Sequence, residues 1–513
     1  MSIHTNDTFS NITQSGNATA DVSPFAGGRL DAHGNEWTFP LLEEVDRRIA
    51  DIALNRYKLD IFPNQIEVIS AEQMLDAYSS GAMPVMYPHW SFGKSFARNE
   101  HLYDKGMQNL AYEVVINSNP CISYLMEENT LTMQTLVIAH ACYGHNSFFK
   151  GNYLFKQWTQ ADAIIDYLVF AKKYVMDCEE RYGFDAVEQV LDAAHSLQMF
   201  GVDRYKRRWQ SEEEVRTRAE IIQEEKRRQY DAIMATVSLP EAAKIERERD
   251  NYPPEPVENL LYFIEKNAPK LKSWERELIR IVRRMSQYFY PQGQTKVMNE
   301  GWASFWHYTL CNTLYDDGLV SDGFMLEFLT SHTNVVFQPL PDQGPYVGLN
   351  PYALGFAIFS DIKRMTIDPT PEDREWFPDI AGTGDWLKTL DFAMRNFKDE
   401  SFIRQFLSPK VMRDFRLFAI ADHASERELV VDSIHNDEGY RRVRGLLADQ
   451  YSRESMVPDI QVTSFARMTD RSLVLTHMRR RNRPLDTDEV EKTMGYVERL
   501  WGFPVNLEVM DVD

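Results

Sequence analysis

The segment Met298-Asn-Glu-Gly-Trp-Ala-Ser-Phe-Trp-His-Tyr308 constrains the chain most, because it is bulky and apolar on every side yet carries a carboxylate and an imidazole. On a helix of about 3.6 residues per turn, Glu300 and His307 are about 700° apart and so share one face to within about 20°. Met298, Trp302, Phe305, Trp306 and Tyr308 leave no side for water. Such a helix belongs in the middle of a molecule. Its polar groups need partners there, since an unpaired buried charge costs several kcal/mol.

Partners are offered by Ala139-His-Ala-Cys-Tyr-Gly-His-Asn146, at the end of a second apolar helix that starts near Thr130, after Glu127, Glu128 and Asn129. His140 and His145 are five residues apart, about 140° around a regular helix. They face one ligand only if the helix opens into a π-bulge, or if Gly144 ends it in a left-handed conformation and turns His145 back. Any one of these histidines alone reads as a core side chain bonded to a carbonyl. Two from one apolar helix, with a Glu and a further His from another, are satisfied together by a metal ion. The candidate ligands are His140, His145 and Glu300, around Zn²⁺ or a similar divalent ion with one position left for water. His307 lies about 10 Å along the helix from Glu300, too far to share the ion easily. It is a candidate acid or base, with His89 as a rival.

With 513 residues, 43% of them hydrophobic and 12% aromatic, the chain can bury a large interior divided into two or three domains. A formal charge of -21 opposes binding to nucleic acid or to anionic membrane surfaces. No apolar run approaches the length of a membrane span, and the N-terminus has no signal pattern, so a cytoplasmic protein is expected. The four cysteines (Cys121, Cys142, Cys178, Cys311) are too dispersed for a disulfide framework or a zinc ribbon.

The spacing predicts a mainly α-helical body with a small C-terminal α+β domain. Residues 1–35 are polar and read as a disordered tail. A helical core domain follows over 36–411. Within it, Gly81 to Lys94 reads as an ordered aromatic loop that lines a pocket or covers a core, with His89 and Lys94 as its chemically useful groups. Val114-Val-Ile116 reads as a short strand, His195 as a core histidine, and the mixed-charge stretch 204–252 as a solvated helical arm. Gly348-Leu-Asn-Pro-Tyr-Ala-Leu-Gly355 forms a second candidate pocket wall. Residues 412–513 alternate as ββαββαβ. The basic run Arg479-Arg-Arg-Asn-Arg483 reads as a charged strand end and turn, or as a site for an acidic partner or a nucleotide phosphate.

Four motifs, Met86-Tyr-Pro-His-Trp-Ser-Phe-Gly-Lys94, His140-Ala-Cys-Tyr-Gly-His-Asn146, Met298-Asn-Glu-Gly-Trp-Ala303 and Asn350-Pro-Tyr-Ala-Leu-Gly355, together resemble the SpoVR (stage V sporulation protein R) family. The resemblance extends from about residue 35 to the end. It implies a link to formation of the peptidoglycan cortex of spores, or to stress physiology in bacteria that do not sporulate. There it also implies a functional link to a PrkA-type serine kinase. Asn299 to Ser304 is further similar to the segment that supplies the glutamate ligand in gluzincin metallopeptidases. Two departures stand out: the histidines are five apart rather than four, and Ala141 replaces the Glu that acts there as general base. The expectation is therefore a metal-dependent hydrolase acting on a peptide or peptidoglycan precursor, with a degenerate gluzincin-like site. The alternative is a non-enzymatic regulatory or scaffold protein whose metal, if any, is structural.

Overall fold

The computed structural model describes residues 28–79, 86–90, 113–203 and 253–512, apart from short stretches at 33, 254, 340–347, 418, 422–429, 434–435, 467–469 and 481–482. Most of the N-terminal tail, Lys94, and all but four positions of the charged stretch 204–252 lie outside the described residues.

Both apolar segments are helical and central. Thr130 opens the first by accepting a hydrogen bond from the Met133 amide, and the helix Leu131–Ile138 runs without a break into a π-helix, Ala139–His145, buried throughout. Of the two geometries open to the His140–His145 spacing, the π-helix is the one adopted. Its i→i+5 bonding brings residues five apart onto one face.

The second segment is the glutamate helix, Lys296–Asp316. Thr295, at its N-cap, makes no side-chain capping bond. That role falls to Asp399, whose carboxylate accepts the Val297 and Met298 amides at 2.9 Å each. Buried and facing Glu300, Asp399 has its carboxyl pushed up to about 7 by burial, against the pull of those amides.

Small residues set how closely these elements approach. A Cβ on Gly144 would lie 2.6 Å from the Ala303 Cα, and one on Gly301 would lie 2.3 Å from the Gly355 Cα. The glutamate helix is thus pressed between the π-helix and the helix Pro351–Ile367, and three of the four sequence motifs meet at these contacts.

The helical body also holds a three-stranded mixed sheet that the residue pattern revealed only in part. In the order β1–β3–β2, β1 (Asn64–Ile69) runs parallel to β3 (Cys121–Met126), and β2 (Glu113–Ile116) antiparallel to it. The expected strand at Val114 is β2. Its burial alternates, with Val114 and Ile116 turned inward and Glu113 on the other face, as a period of two requires.

The ordered body also begins before residue 36. Leu30 is buried, its amide donates to the Leu319 carbonyl at 2.8 Å, and Arg48 binds the Gly28 carbonyl.

The C-terminal region follows the expected order: β4 (Ala419–Ala421), β5 (Val430–Ser433), helix Asp437–Gln450, β6 (Ile460–Phe465), β7 (Leu473–Arg479), helix Thr487–Trp501 and β8 (Val505–Asp511), with one extra turn at Arg453–Met456. The strands form two sheets, a β4–β5 pair and a three-stranded β6–β7–β8 sheet. The helix Asp437–Gln450 puts Tyr440, Val443 and Leu447 into the same buried cluster as the helical body. β6, β7 and the helix Thr487–Trp501 instead share a second cluster with helices Ile164–Tyr182, Phe184–Ser196, Leu260–Asn267 and Ser273–Gln294. There Trp501 stacks on Phe263 at 5.9 Å and meets Phe465 edge-on at 4.8 Å. Arg479, first of the basic run, is paired with Asp511 on β8. Among the described residues no helix is long and apolar enough to cross a membrane.

Candidate metal centre

His140 and His145, from consecutive turns of the π-helix, present their Nε2 atoms to two carboxylates. Glu113 Oε1 lies 3.2 Å from His140 Nε2 and 3.6 Å from His145 Nε2, and Glu300 Oε2 lies 3.9 and 3.5 Å from the same atoms. Glu300 thus lies beside both expected histidines, but the three residues whose ligand atoms all fall within 4.8 Å of one another are Glu113, His140 and His145, so Glu113 enters a group in which Glu300 was expected. Residue chemistry could not have singled out Glu113: it stands at the head of a short apolar strand, and only the pairing of β2 with β3 carries it to the π-helix.

These separations test whether a metal fits. Ligand bonds of about 2.0–2.2 Å to a tetrahedral ion place neighbouring ligand atoms about 3.3–3.6 Å apart. Three of the four distances exceed the roughly 2.7–3.2 Å of a hydrogen bond. Glu300 Oε2 is moreover buried and accepts no hydrogen bond within the chain, an arrangement that costs free energy unless something else binds that oxygen. The donor set, two imidazoles and two carboxylates, suits Zn²⁺, Fe²⁺ or Mn²⁺, whose charge the carboxylates balance. The histidine side chains are 6 and 8% exposed and the carboxylates 16 and 18%, so the group is reached from the carboxylate side.

The far side of each histidine is also bound, as ligating imidazoles require if their orientation is to be fixed. His145 Nδ1 donates to Asn299 Oδ1 at 3.0 Å, so Nε2 is the nitrogen that faces the carboxylates and would ligate once its proton is displaced, and Phe149 stacks on the ring. His140 Nδ1 meets His307 Nδ1 at 2.8 Å, and His307 Nε2 in turn meets His332 Nδ1 at 2.7 Å. Asn299 and Glu300 are adjacent on one helix, so a single element holds a carboxylate and the support of a histidine.

This corrects the expected role of His307. It does share a face with Glu300, yet its ring is fully buried behind His140 with both nitrogens occupied, which suits it to position His140 and not to exchange protons with a substrate. His89 is placed away from the group: its Nε2 bonds Asp192 at 3.1 Å and its ring stacks on His195, in the second cluster. His195 is held by the Tyr87 hydroxyl at 2.8 Å, as a core histidine should be. The Gly348–Gly355 segment does reach the site, because Tyr352 stacks on His140 and interacts with Glu300.

Charge within the group is set by competition between burial and pairing. Burial opposes a charged His145, but Glu300, Glu113 and Asn299 outweigh it and raise its pKa to about 9. Burial likewise opposes the Glu300 carboxylate, while His145, His140 and Tyr352 hold it below its ordinary value. His307 is driven well below the usual imidazole range by burial and by the neighbouring histidines. His332 is lowered to about 4, by burial first and by His140 second.

Fold and site together define a mainly helical protein with an α+β C-terminal region, built around a buried group of two histidines and two glutamates. The chain belongs to the SpoVR family: the model for SpoVR like protein matches residues 36–456, and that for the SpoVR-like C-terminal domain matches residues 458–512. The expected division near residue 412 falls within the first match. An uncharacterized protein of Escherichia coli K12, YcgB, is 58% identical over 485 residues, covering 94% of each chain. No solved structure matches.

Proposed function

We propose that this protein is a divalent-metal-dependent hydrolase acting on a peptide or peptidoglycan precursor, with His140, His145 and Glu300 holding the ion. The observation that carries this reading is the convergence of two histidine nitrogens on two carboxylate oxygens at 3.2–3.9 Å, one of which, Glu300 Oε2, is buried and accepts no hydrogen bond. When bound, such an ion polarises a carbonyl and lowers the pKa of water. Glu113 supplies the carboxylate that Ala141 does not, and beside His140 and His145 it would be placed to accept a proton at the site. Tyr352 supports Glu300 and stacks on His140.

One observation favours a second reading. Two histidines and two carboxylates already make four protein ligands, the number found in closed structural sites, as the regulatory or scaffold alternative requires. Elemental analysis of protein purified without chelator, followed by incubation with peptidoglycan stem peptides and mass spectrometry, tests both. The hydrolase reading expects about one equivalent of metal and cleavage that chelator abolishes. Glu113→Gln should then keep the metal and lose turnover. Metal retention without any cleaved product, and metal loss in Glu113→Gln, would favour the structural site. Protein that contains no metal and takes up no Zn²⁺, Mn²⁺ or Fe²⁺ would sink both.

A further inference from the structure

His140, His307 and His332 form an unbroken chain of imidazoles, joined Nδ1 to Nδ1 at 2.8 Å and Nε2 to Nδ1 at 2.7 Å. A neutral imidazole carries one N–H, so each contact needs one donor and one acceptor. Only two settings of the whole chain satisfy both contacts. In one, His140 Nδ1–H donates to His307 Nδ1, His307 Nε2–H donates to His332 Nδ1, and His332 keeps its proton on Nε2. His140 then turns a bare Nε2 toward the carboxylates. In the other, His332 Nδ1–H donates to His307, His307 Nδ1–H donates to His140, and the His140 proton sits on Nε2, pointing at Glu113 Oε1 3.2 Å away. That setting closes His140 to any ion.

We infer that His332 is a positioning residue for the metal centre: acting through His307, it selects which nitrogen of His140 carries the proton, and hence whether His140 can ligate. This rests on the metal reading above and extends it two rings beyond the ligands. The geometry favours a fixed relay. His307 is fully buried between the other two rings, and Tyr308 and Phe356, with ring centres 4.8 and 4.9 Å from that of His332, hold the last ring in place. The helix Asp322–Val335 that carries His332 supplies no ligand itself, so its contribution is entirely indirect.

The test uses the full chain labelled with ¹⁵N at histidine, treated with chelator and titrated with Zn²⁺. Long-range nitrogen–proton spectra of the wild type should show His332 and His307 as Nε2–H tautomers, and His140 as Nδ1–H, once the metal is bound. His332→Phe removes the acceptor and should weaken Zn²⁺ binding about 10–100-fold, as loss of an outer partner typically does. His332→Gln, whose amide oxygen can accept from His307, should restore most of the affinity. Wild type that binds Zn²⁺ with His332 still protonated at Nδ1, or His332→Phe with wild-type affinity, overturns the inference while leaving the metal reading intact. No Zn²⁺ uptake by the wild type would overturn both. The tautomer readout on the wild type stands even if His332→Phe does not fold.

Discussion

Gly144 sits against Ala303 so closely that a Cβ on the glycine would fall 2.6 Å from the Ala303 Cα. The contact is between backbones, one residue before His145 and three after Glu300. It therefore fixes how near the π-helix comes to the glutamate helix, and with that the reach of His145 to Glu300.

Gly144→Ala should consequently destabilise the protein by about 1–3 kcal/mol or more, because neither backbone can yield without moving a ligand. Gly301→Ala, whose Cβ would meet the Gly355 backbone, should do the same from the opposite side. Denaturant unfolding measures both. A change within about 0.5 kcal/mol of wild type at either position would mean that the helices are less tightly pressed than this.

Glu300→Gln separates a ligand from half of an ion pair. As a ligand, it should lose metal affinity sharply, and the melting temperature should fall more in the metal-bound protein than after chelation. As a partner of charged His145 alone, its removal leaves a buried positive charge and costs roughly 3–5 kcal/mol with or without metal. Thermal melts of both proteins, each with and without chelator, decide. An equal drop in both conditions with unchanged metal content would identify structural electrostatics.

The chelator-treated protein should be most stable near pH 6.5. His145 is raised from 6.5 to about 9, so its contribution is complete below 6.5 and is lost as pH rises toward 9. His332 and His195 are lowered to about 4 and about 3, and His307 is lowered as well. Each binds its proton more readily unfolded than folded; the three together outweigh Asp399, which is raised to about 7 and acts in the opposite sense, so stability also declines as pH falls below 6.5. Melting temperature against pH should show this maximum. A curve still rising from pH 6.5 to 9 would contradict the His145 assignment.

Trp501→Ala should cost about 3–5 kcal/mol and unfold helices as well as strands, since Trp501 packs on Phe263 and Phe465 in a core common to both. Limited proteolysis between the two family matches should then yield no stable C-terminal fragment. A soluble, cooperatively melting piece starting near residue 458 would show that the shared core is dispensable.

Much of the site was written locally. An all-apolar helix with Glu300, and an apolar helix ending in His140 and His145, call for burial, and their polar groups then need partners such as one another or a shared ligand. The five-residue spacing restricted the helix to a π-bulge or a glycine turn. The ββαββαβ order was equally legible, because strand and helix periods are properties of neighbouring residues.

Tertiary structure decided what depends on pairing across the chain. Glu113 becomes a member of the group only because β2 pairs with β3, a register no local pattern announces. His307 became a link rather than an acid because His332, 25 residues on, occupies its outer nitrogen. The C-terminal strands do not bury themselves, since their apolar faces are completed by helices from the middle of the chain. Periodicity reports which face of an element seeks burial; which other element meets that face is settled by the packing of the whole.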